Sequence, residues 1–306
     1  MRITLRQLEI FTAIAASENV SRAAAQLAMS QSAASSALVE LERQFDCPLF
    51  DRIGKSLRLN ATGRGLLPQA REILARGADI ESYLAGGTLG PLAVGATLTI
   101  GNYLATLIVA EHLQRHPASK VQLRVANTST IIEQLLHFEL DIGLIEGEAS
   151  HPDLLLEAWL EDSLVVFCAP QHALASHGIA TPAELAAQQW VVREHGSGTR
   201  ALFDRVIGKA LPELHIQLEL EHTEAIKRAV ESGLGIGCLS RLSLREAFRR
   251  GSLVEIKTPF DLRRHFYFAR HRQRHLSPAT QSFIALCRET SGTAHDTDTL
   301  ALPFIG

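Results

Sequence analysis

Four turns in this 306-residue chain concentrate hydroxyls, amides and glycines: Thr97-Leu98-Thr99, Asn127-Thr128-Ser129, Gly196-Ser197-Gly198-Thr199 and His222-Thr223. Each stands where a strand-like run gives way to a helical one. Such side chains cap helices, and the free N–H groups and dipole of a helix start attract anions. Ser, Thr and Gly are also small enough to let a ligand come close. The chemistry on offer is capture of a small anion, with plain capping as the alternative at every turn. Glu146, in Ile145-Glu146-Gly147, follows a further strand. A carboxylate there repels anions unless paired, so it is expected in a hinge salt bridge or in a hydrogen bond to His222 or Arg193. A second cluster, Gln31, Ser32, Ser35 and Ser36, opens a helical run near the N-terminus. Gln can read adenine edges and Ser several partners.

Covalent and metal chemistry find little support. There is no HExxH, nucleophile elbow or GKS/GKT phosphate loop, and Gly233-Leu234-Gly235-Ile236-Gly237 precedes or forms a strand instead of opening a helix. Cys47, Cys168, Cys238 and Cys287 form no CxxC pair and are expected as buried, reduced thiols. His265, His271 and His275 lie among arginines on a segment expected to be exposed, and their spacing matches no metal site. The expectation is a non-enzyme without catalytic residues, metal or cofactor. Hydrophobic residues at 46% and charged residues at 21% describe an ordinary globular chain with two or three cores. Arg2, Arg6, Glu9 and Glu18 interrupt the first apolar runs, which fits neither a signal peptide nor a membrane span and implies a cytoplasmic location. Net charge is only −3, so charge has to be read locally. In residues 1–60, Arg2, Arg6, Arg22, Arg43, Arg52, Lys55 and Arg58 face Glu9, Glu18, Glu40, Glu42, Asp46 and Asp51, a near balance.

The N-terminal elements that must position the polar cluster are three helices and a hairpin. Leu5, Leu8, Phe11 and Ile14 recur at helical spacing and predict a first helix ending near Ser17-Glu18-Asn19. Ser21 is the expected cap of a short second helix through Leu27. Ser30 is expected to cap a third, Gln31 to about Phe45, with Ala34, Leu38, Leu41 and Phe45 inward. Two short helices joined by a tight turn, the second starting with small polar residues, match a helix that enters the DNA major groove. Residues 49–59 alternate around a Gly turn and predict a two-stranded wing whose Arg52, Lys55 and Arg58 meet phosphates. Arg22 and Ser30 complete the expected DNA-contacting set.

Asn60 is placed to cap a long helix over 61–84, along which Leu66, Ala70, Ile73, Gly77, Ile80 and Leu84 form a coiled-coil seam. The seam predicts a homodimer, with packing on its own domain as the alternative. Gly86-Gly87 and Gly90-Pro91 mark a boundary. From Leu92 onward strand-like runs (92–95, 121–125, 142–145, 190–192, 216–220, 236–239) alternate with helical ones, the order of a largely parallel α/β sheet in two lobes with a cleft between them. Leu164-Val165-Val166-Phe167 and Phe266-Tyr267-Phe268-Ala269 look like the paired crossover strands of periplasmic-binding-protein folds.

These residues carry a family resemblance. Ser21-Arg22-Ala23-Ala24-Ala25-Gln26-Leu27, Ser30-Gln31, Leu41-Glu42, Pro48-Leu49-Phe50-Asp51-Arg52 and Leu59-Asn60-Ala61-Thr62-Gly63 resemble the LysR-type transcriptional regulators. Weaker matches follow at His116-Pro117, Leu140-Asp141-Ile142-Gly143-Leu144 and Ser232-Gly233-Leu234-Gly235-Ile236. The family usually has Pro where Ser32 stands and Arg where Ser36 stands, so this chain departs from it at the DNA contacts. The resemblance implies an α+β multidomain architecture. Its parts are a winged helix-turn-helix (residues 1–60), a linker and dimerisation helix (61–88) and a two-lobed periplasmic-binding-protein-like effector domain (90–306). Lobe I would take about 90–163 and 267–306, and lobe II about 164–266. It further implies double-stranded DNA as partner and a homodimer assembling to a homotetramer. The effector would be bound by Thr97, Thr99, Asn127, Thr128, Ser129, Glu146, Gly196, Ser197, Thr199 and His222. The string from Arg193 to Arg200 resembles the branch regulating carbon fixation and sulfur-oxyanion responses, which implies a small anionic co-inducer, a sulfur oxyanion or a short carboxylate. The competing function is a two-lobed small-molecule-binding protein or enzyme with an accessory DNA-binding domain.

Overall fold

The computed structural model describes residues 2–53, 56–84, 89–147, 150–176, 178–211, 213–292 and 294–300. The chain divides into two compact units, residues 1–90 and 91–306. Among the described residues no helix is long and apolar enough to cross a membrane.

In the first unit α1 (Leu5–Ser17), α2 (Val20–Gln26) and α3 (Gln31–Phe45) enclose a core that includes Leu8, Phe11, Ile14, Ala23, Ala34, Leu38 and Leu41. Small alanines on α2 let the helices approach closely. Asn19, not Ser21, caps α2, its Oδ1 accepting from Arg22 N at 3.0 Å. The helix begins one residue before Ser21, and Asn19 holds the extended backbone a cap requires. Ser30 caps α3 as expected, accepting from Ala33 N. Leu5 and Phe45, expected inward, are about half exposed because they stand at the outer ends of α1 and α3. Strands β1 (Phe50–Ile53) and β2 (Ser56–Leu59) pair antiparallel as the wing, while Gly54 and Lys55 lie outside the described residues.

Helix α4 (Ala61–Leu84) starts on Asn60, whose Oδ1 accepts from Gly63 N at 2.9 Å. The expected single seam divides. Ala70 is fully buried in the unit's own core, to which Leu66, Leu67 and Leu74 also pack, because α1 lies against α4. Ile73, Ile80 and Leu84 remain 46%, 60% and 77% exposed. Gly86 and Gly87, the expected boundary, lie outside the described residues.

The second unit is built on one sheet in the order β4-β3-β5-β11-β6-β9-β7-β8, with β10 also on β6. Its strands are β3 (Leu92–Thr97), β4 (Val121–Ala126), β5 (Ile142–Glu146), β6 (Leu154–Cys168), β7 (Gln189–Arg193), β8 (His215–Leu220), β9 (Ile236–Ser240), β10 (Val254–Ile256) and β11 (Arg263–His271). In lobe I β3 runs parallel to β4 and β5; in lobe II β7 runs parallel to β8 and β9. Between them lies the 15-residue β6. Its residues 154–163 pair with β11, and its residues 164–168 pair with β9 and β10. The runs 164–167 and 266–269 are therefore not opposite each other as expected. Phe266 faces Leu160, and Leu164 faces Ser240. Apolar patterning picks out only the lobe II end of a strand long enough to serve both lobes.

After β3 the helical stretches Leu98–Ile100, Gly101–Ala105 (a π turn) and Thr106–Arg115 follow without a break. The next helix is Thr128–Leu136. Lobe II has Gly198–Phe203 running into a π turn at Asp204–Gly208, then Thr223–Glu231 and Arg241–Arg250. Cys168, Cys238 and Cys287 are buried free thiols, whereas Cys47 is only half-buried. His271, expected on an exposed segment, is buried on β11, its ring 4.1 Å from that of Phe138.

Candidate functional site

On the first unit, Ser30, Gln31, Ser32 and Ser36 are exposed at the start of α3, and Ser35 is half-buried. Arg22 is exposed on α2 and Arg58 on β2. The side chain of Arg52, like Lys55, lies outside the described residues. Two other bases are neutralised locally, Arg6 by Glu9 at 2.8 Å and Arg43 by Glu40 at 2.9 Å. The segment leading into the wing, Pro48 and Leu49, is held by α3 and by the start of α4 through contacts that explain three motif residues. Glu42 Oε1 accepts from Leu49 N at 2.7 Å, and Asn60 Nδ2 donates to Pro48 O at 2.8 Å. At Gly63 an added Cβ would overlap the carbonyl oxygen of Leu49.

In the second unit the hydroxyl-rich turns converge from both lobes. Ser129 donates through its N–H and Oγ to Gly196 O, at 3.1 and 3.2 Å, and Gly198 N donates to Thr128 Oγ1 at 3.0 Å. Tyr103 OH of lobe I donates to Glu224 Oε1 of lobe II at 2.6 Å, and Lys227 Nζ holds the same oxygen at 2.7 Å. At the centre is Glu146, 2% exposed. Its Oε1 accepts from Thr99 N at 2.7 Å; its Oε2 accepts from Thr199 Oγ1 at 3.2 Å and pairs with Arg264 Nη1 at 2.9 Å. Burial alone would raise this carboxyl, but Arg264, then Arg193, and the hydrogen bonds from Thr99 hold it below the ordinary carboxylate range.

Arg264 is the junction of this network. Its Nε donates to Asp162 Oδ2 at 2.8 Å and its Nη1 to Thr199 Oγ1 at 3.1 Å. Asp162 in turn accepts from Ser240 Oγ at 2.7 Å and Thr297 Oγ1 at 2.9 Å. Two buried carboxylates thus share one buried guanidinium where the chain crosses between lobes. Removing one partner of such a pair costs about 3–5 kcal/mol. Arg264 Nη2 and, at the start of a lobe II helix, Thr223 Oγ1 are among the buried polar atoms without a hydrogen-bond partner within the described residues, both on nearly fully buried side chains.

Of the residues expected to meet the effector, Thr99, Glu146 and Thr199 come together, as do the pairs Thr128 with Gly198 and Ser129 with Gly196. The remaining four have local roles or lie apart. Asn127 Oδ1 caps its own helix, Ser197 Oγ accepts from Thr199 N, and the Thr97 hydroxyl donates to Leu144 O at 3.4 Å. His222 is exposed and makes no capping bond, so Glu146 does not reach it. The sequence reading missed Arg264, Asp162 and the Tyr103–Glu224–Lys227 cluster. One signal was present for Arg264: alternation along β11 puts it on the same inward face as Phe266 and Phe268.

Comparison with known proteins agrees with this geometry. The family model described as "LysR substrate binding domain" matches residues 85–292, and "Bacterial regulatory helix-turn-helix protein, lysR family" matches residues 5–64. The chain is 41% identical over 288 residues to the HTH-type transcriptional regulator YeiE of Escherichia coli K12, covering 94% of this chain and 98% of that protein. It is 31% identical over 287 residues to the RuBisCO operon transcriptional regulator of Allochromatium vinosum, covering 92% and 95%. The regulatory domain of CcmR from Synechocystis PCC6803, solved in complex with 2-PG, superposes with a TM-score of 0.60 at 27% identity, covering 66% of this chain and 98% of that one.

Proposed function

The chain belongs to the LysR family of bacterial helix-turn-helix transcription regulators, and from that premise we propose that it is switched by a small anion held between its two α/β lobes. It is a DNA-binding regulator with an effector-binding domain and not an enzyme, and its relatives include the carbon-fixation branch. The observation that supports an anion is the convergence of Thr99 N, Thr199 Oγ1 and Arg264 on two carboxylate oxygens, those of Glu146. Donors that satisfy a carboxylate from within also suit an oxyanion or carboxylate from outside. The complex of CcmR with 2-PG is in line with this chemistry.

On DNA, Gln31, Ser32, Ser35 and Ser36 would read base edges, and Arg22, Ser30, Arg52 and Lys55 would hold phosphates. The near balance of charge leaves each unit few phosphate contacts, so affinity rests on pairing of chains through α4, and of pairs into a tetramer. Such a protein works in the cytoplasm. An effector shifts the population of lobe arrangements and, through the assembly, the spacing of DNA-binding pairs.

Titration calorimetry of the full chain with phosphate, sulfate and short carboxylates tests the reading. At least one should bind, and Thr199→Val should weaken it about tenfold or more. Absence of heat and of thermal shift with every anion would overturn it.

A further inference from the structure

We propose that Glu146 is a built-in competitor for the effector: its carboxylate occupies the donors that recognise an anion between the lobes, and an incoming anion takes them over by displacing it. The inference rests on the reading that anions enter this cleft.

Three observations carry it. Glu146 already holds the arrangement a bound carboxylate would adopt, with one oxygen on a backbone N–H and the other on a hydroxyl and a guanidinium. No room is left for a second anion on the same atoms, since the side chain is 2% exposed. Charge makes coexistence unfavourable as well. Arg193 is matched by Glu194 in a two-point pair at 2.8 and 3.0 Å, so the remaining buried group of Glu146, Asp162 and Arg264 carries more negative than positive charge. An anion arriving beside an intact Glu146 would be repelled at low effective dielectric.

The donor set also exceeds what Glu146 uses. Arg264 Nη2 has no hydrogen-bond partner among the described residues, on a side chain 1% exposed. A carboxylate offers two oxygens to these groups. A tetrahedral oxyanion offers a third to Nη2 once the glutamate has swung away. The site is therefore built for an anion with more acceptor atoms than its own plug. The chain sets the threshold at which an effector acts by the strength of this internal pairing, which a neutral residue at 146 would abolish.

The test is calorimetric titration of sodium sulfate into the full-length wild type, Glu146→Gln and Glu146→Asp, with sodium chloride at matched ionic strength as the control. Gln keeps an oxygen for Thr99 N and removes the charge, so Glu146→Gln should bind sulfate at least tenfold more tightly than the wild type. Asp keeps the charge but shortens the reach, and should fall between the two. It also serves as the readout if Glu146→Gln does not fold. Equal affinity in all three would overturn the competitor while leaving the anion reading intact. Weaker binding by Glu146→Gln would overturn it too, because Glu146 would then hold the ligand itself. Absence of binding to all three by sulfate, and by phosphate and short carboxylates titrated in the same way, would overturn both readings.

Discussion

Glu146 at the end of β5 and Arg264 on β11 form a buried ion pair at 2.9 Å. Burial pushes the Glu146 carboxyl up, yet Arg264, Arg193 and the Thr99 hydrogen bonds bring it below its ordinary value of 4.5. A carboxyl whose folded value is depressed contributes stability that is fully present above the unfolded value and is lost as pH falls through the folded one. Unfolding of residues 91–306 within the full chain, followed by calorimetry, should therefore lose stability from about pH 4.5 downward. Glu146→Gln should flatten that slope by up to one proton, roughly 1.4 kcal/mol per pH unit; an unchanged slope would count against the pairing. Glu146 was legible in the sequence as an anomaly, a charge following an apolar strand. Its partner was not. Arg264 sits in a run of arginines and histidines far along the chain, and only the crossing of β11 beside β5 brings the two together.

At the scale of elements, the wing depends on contacts that no side chain can adjust to replace. The Gly63 Cα faces the Leu49 carbonyl, so a methyl group there collides with backbone and cannot escape by changing rotamer. Gly63→Ala should cost roughly 3 kcal/mol or more in the first unit and abolish operator binding in a gel-shift assay. Retention of both would show that the Leu49 segment moves aside from α4 without cost. The three helices, the wing and the parallel α/β order were all readable from periodicity, since each has one apolar face and a recognisable start. Errors fell at ends and lengths. Asn19 displaced Ser21 as cap because Asx and Ser caps are sequence neighbours here. Apolar patterning picks out only the end of β6 because its first part carries Glu157, Glu161 and Asp162, charges that hide the alternation; Glu157 pairs with Arg288 of the helix Pro278–Ser291, and Asp162 with Arg264 at the crossover.

For the whole molecule, the exposed Ile73, Ile80 and Leu84 lie at intervals of seven and four along α4, a stripe facing away from the unit's own core. A buried Ile contributes about 1.5–3 kcal/mol. Ile80→Asp should therefore raise the dimer dissociation constant at least tenfold, measured by sedimentation, and weaken DNA binding in parallel. Unchanged assembly would place the dimer contact elsewhere. The long helix and its apolar positions were legible, but their division between two faces was not, because Ala70 is buried in the unit's own core and no spacing rule distinguishes the two faces. The crossover has a mechanical meaning. Strand β6 belongs to both lobes and is hydrogen-bonded along its length, to β11 at one end and to β9 and β10 at the other. No loop interrupts this crossing, whereas the return crossing from β10 to β11 runs through the irregular residues 258–262. Rotation of one lobe against the other is stored as torsion in a continuous ribbon, which makes the sensor a sprung device with graded travel and a built-in return force rather than a freely swinging door.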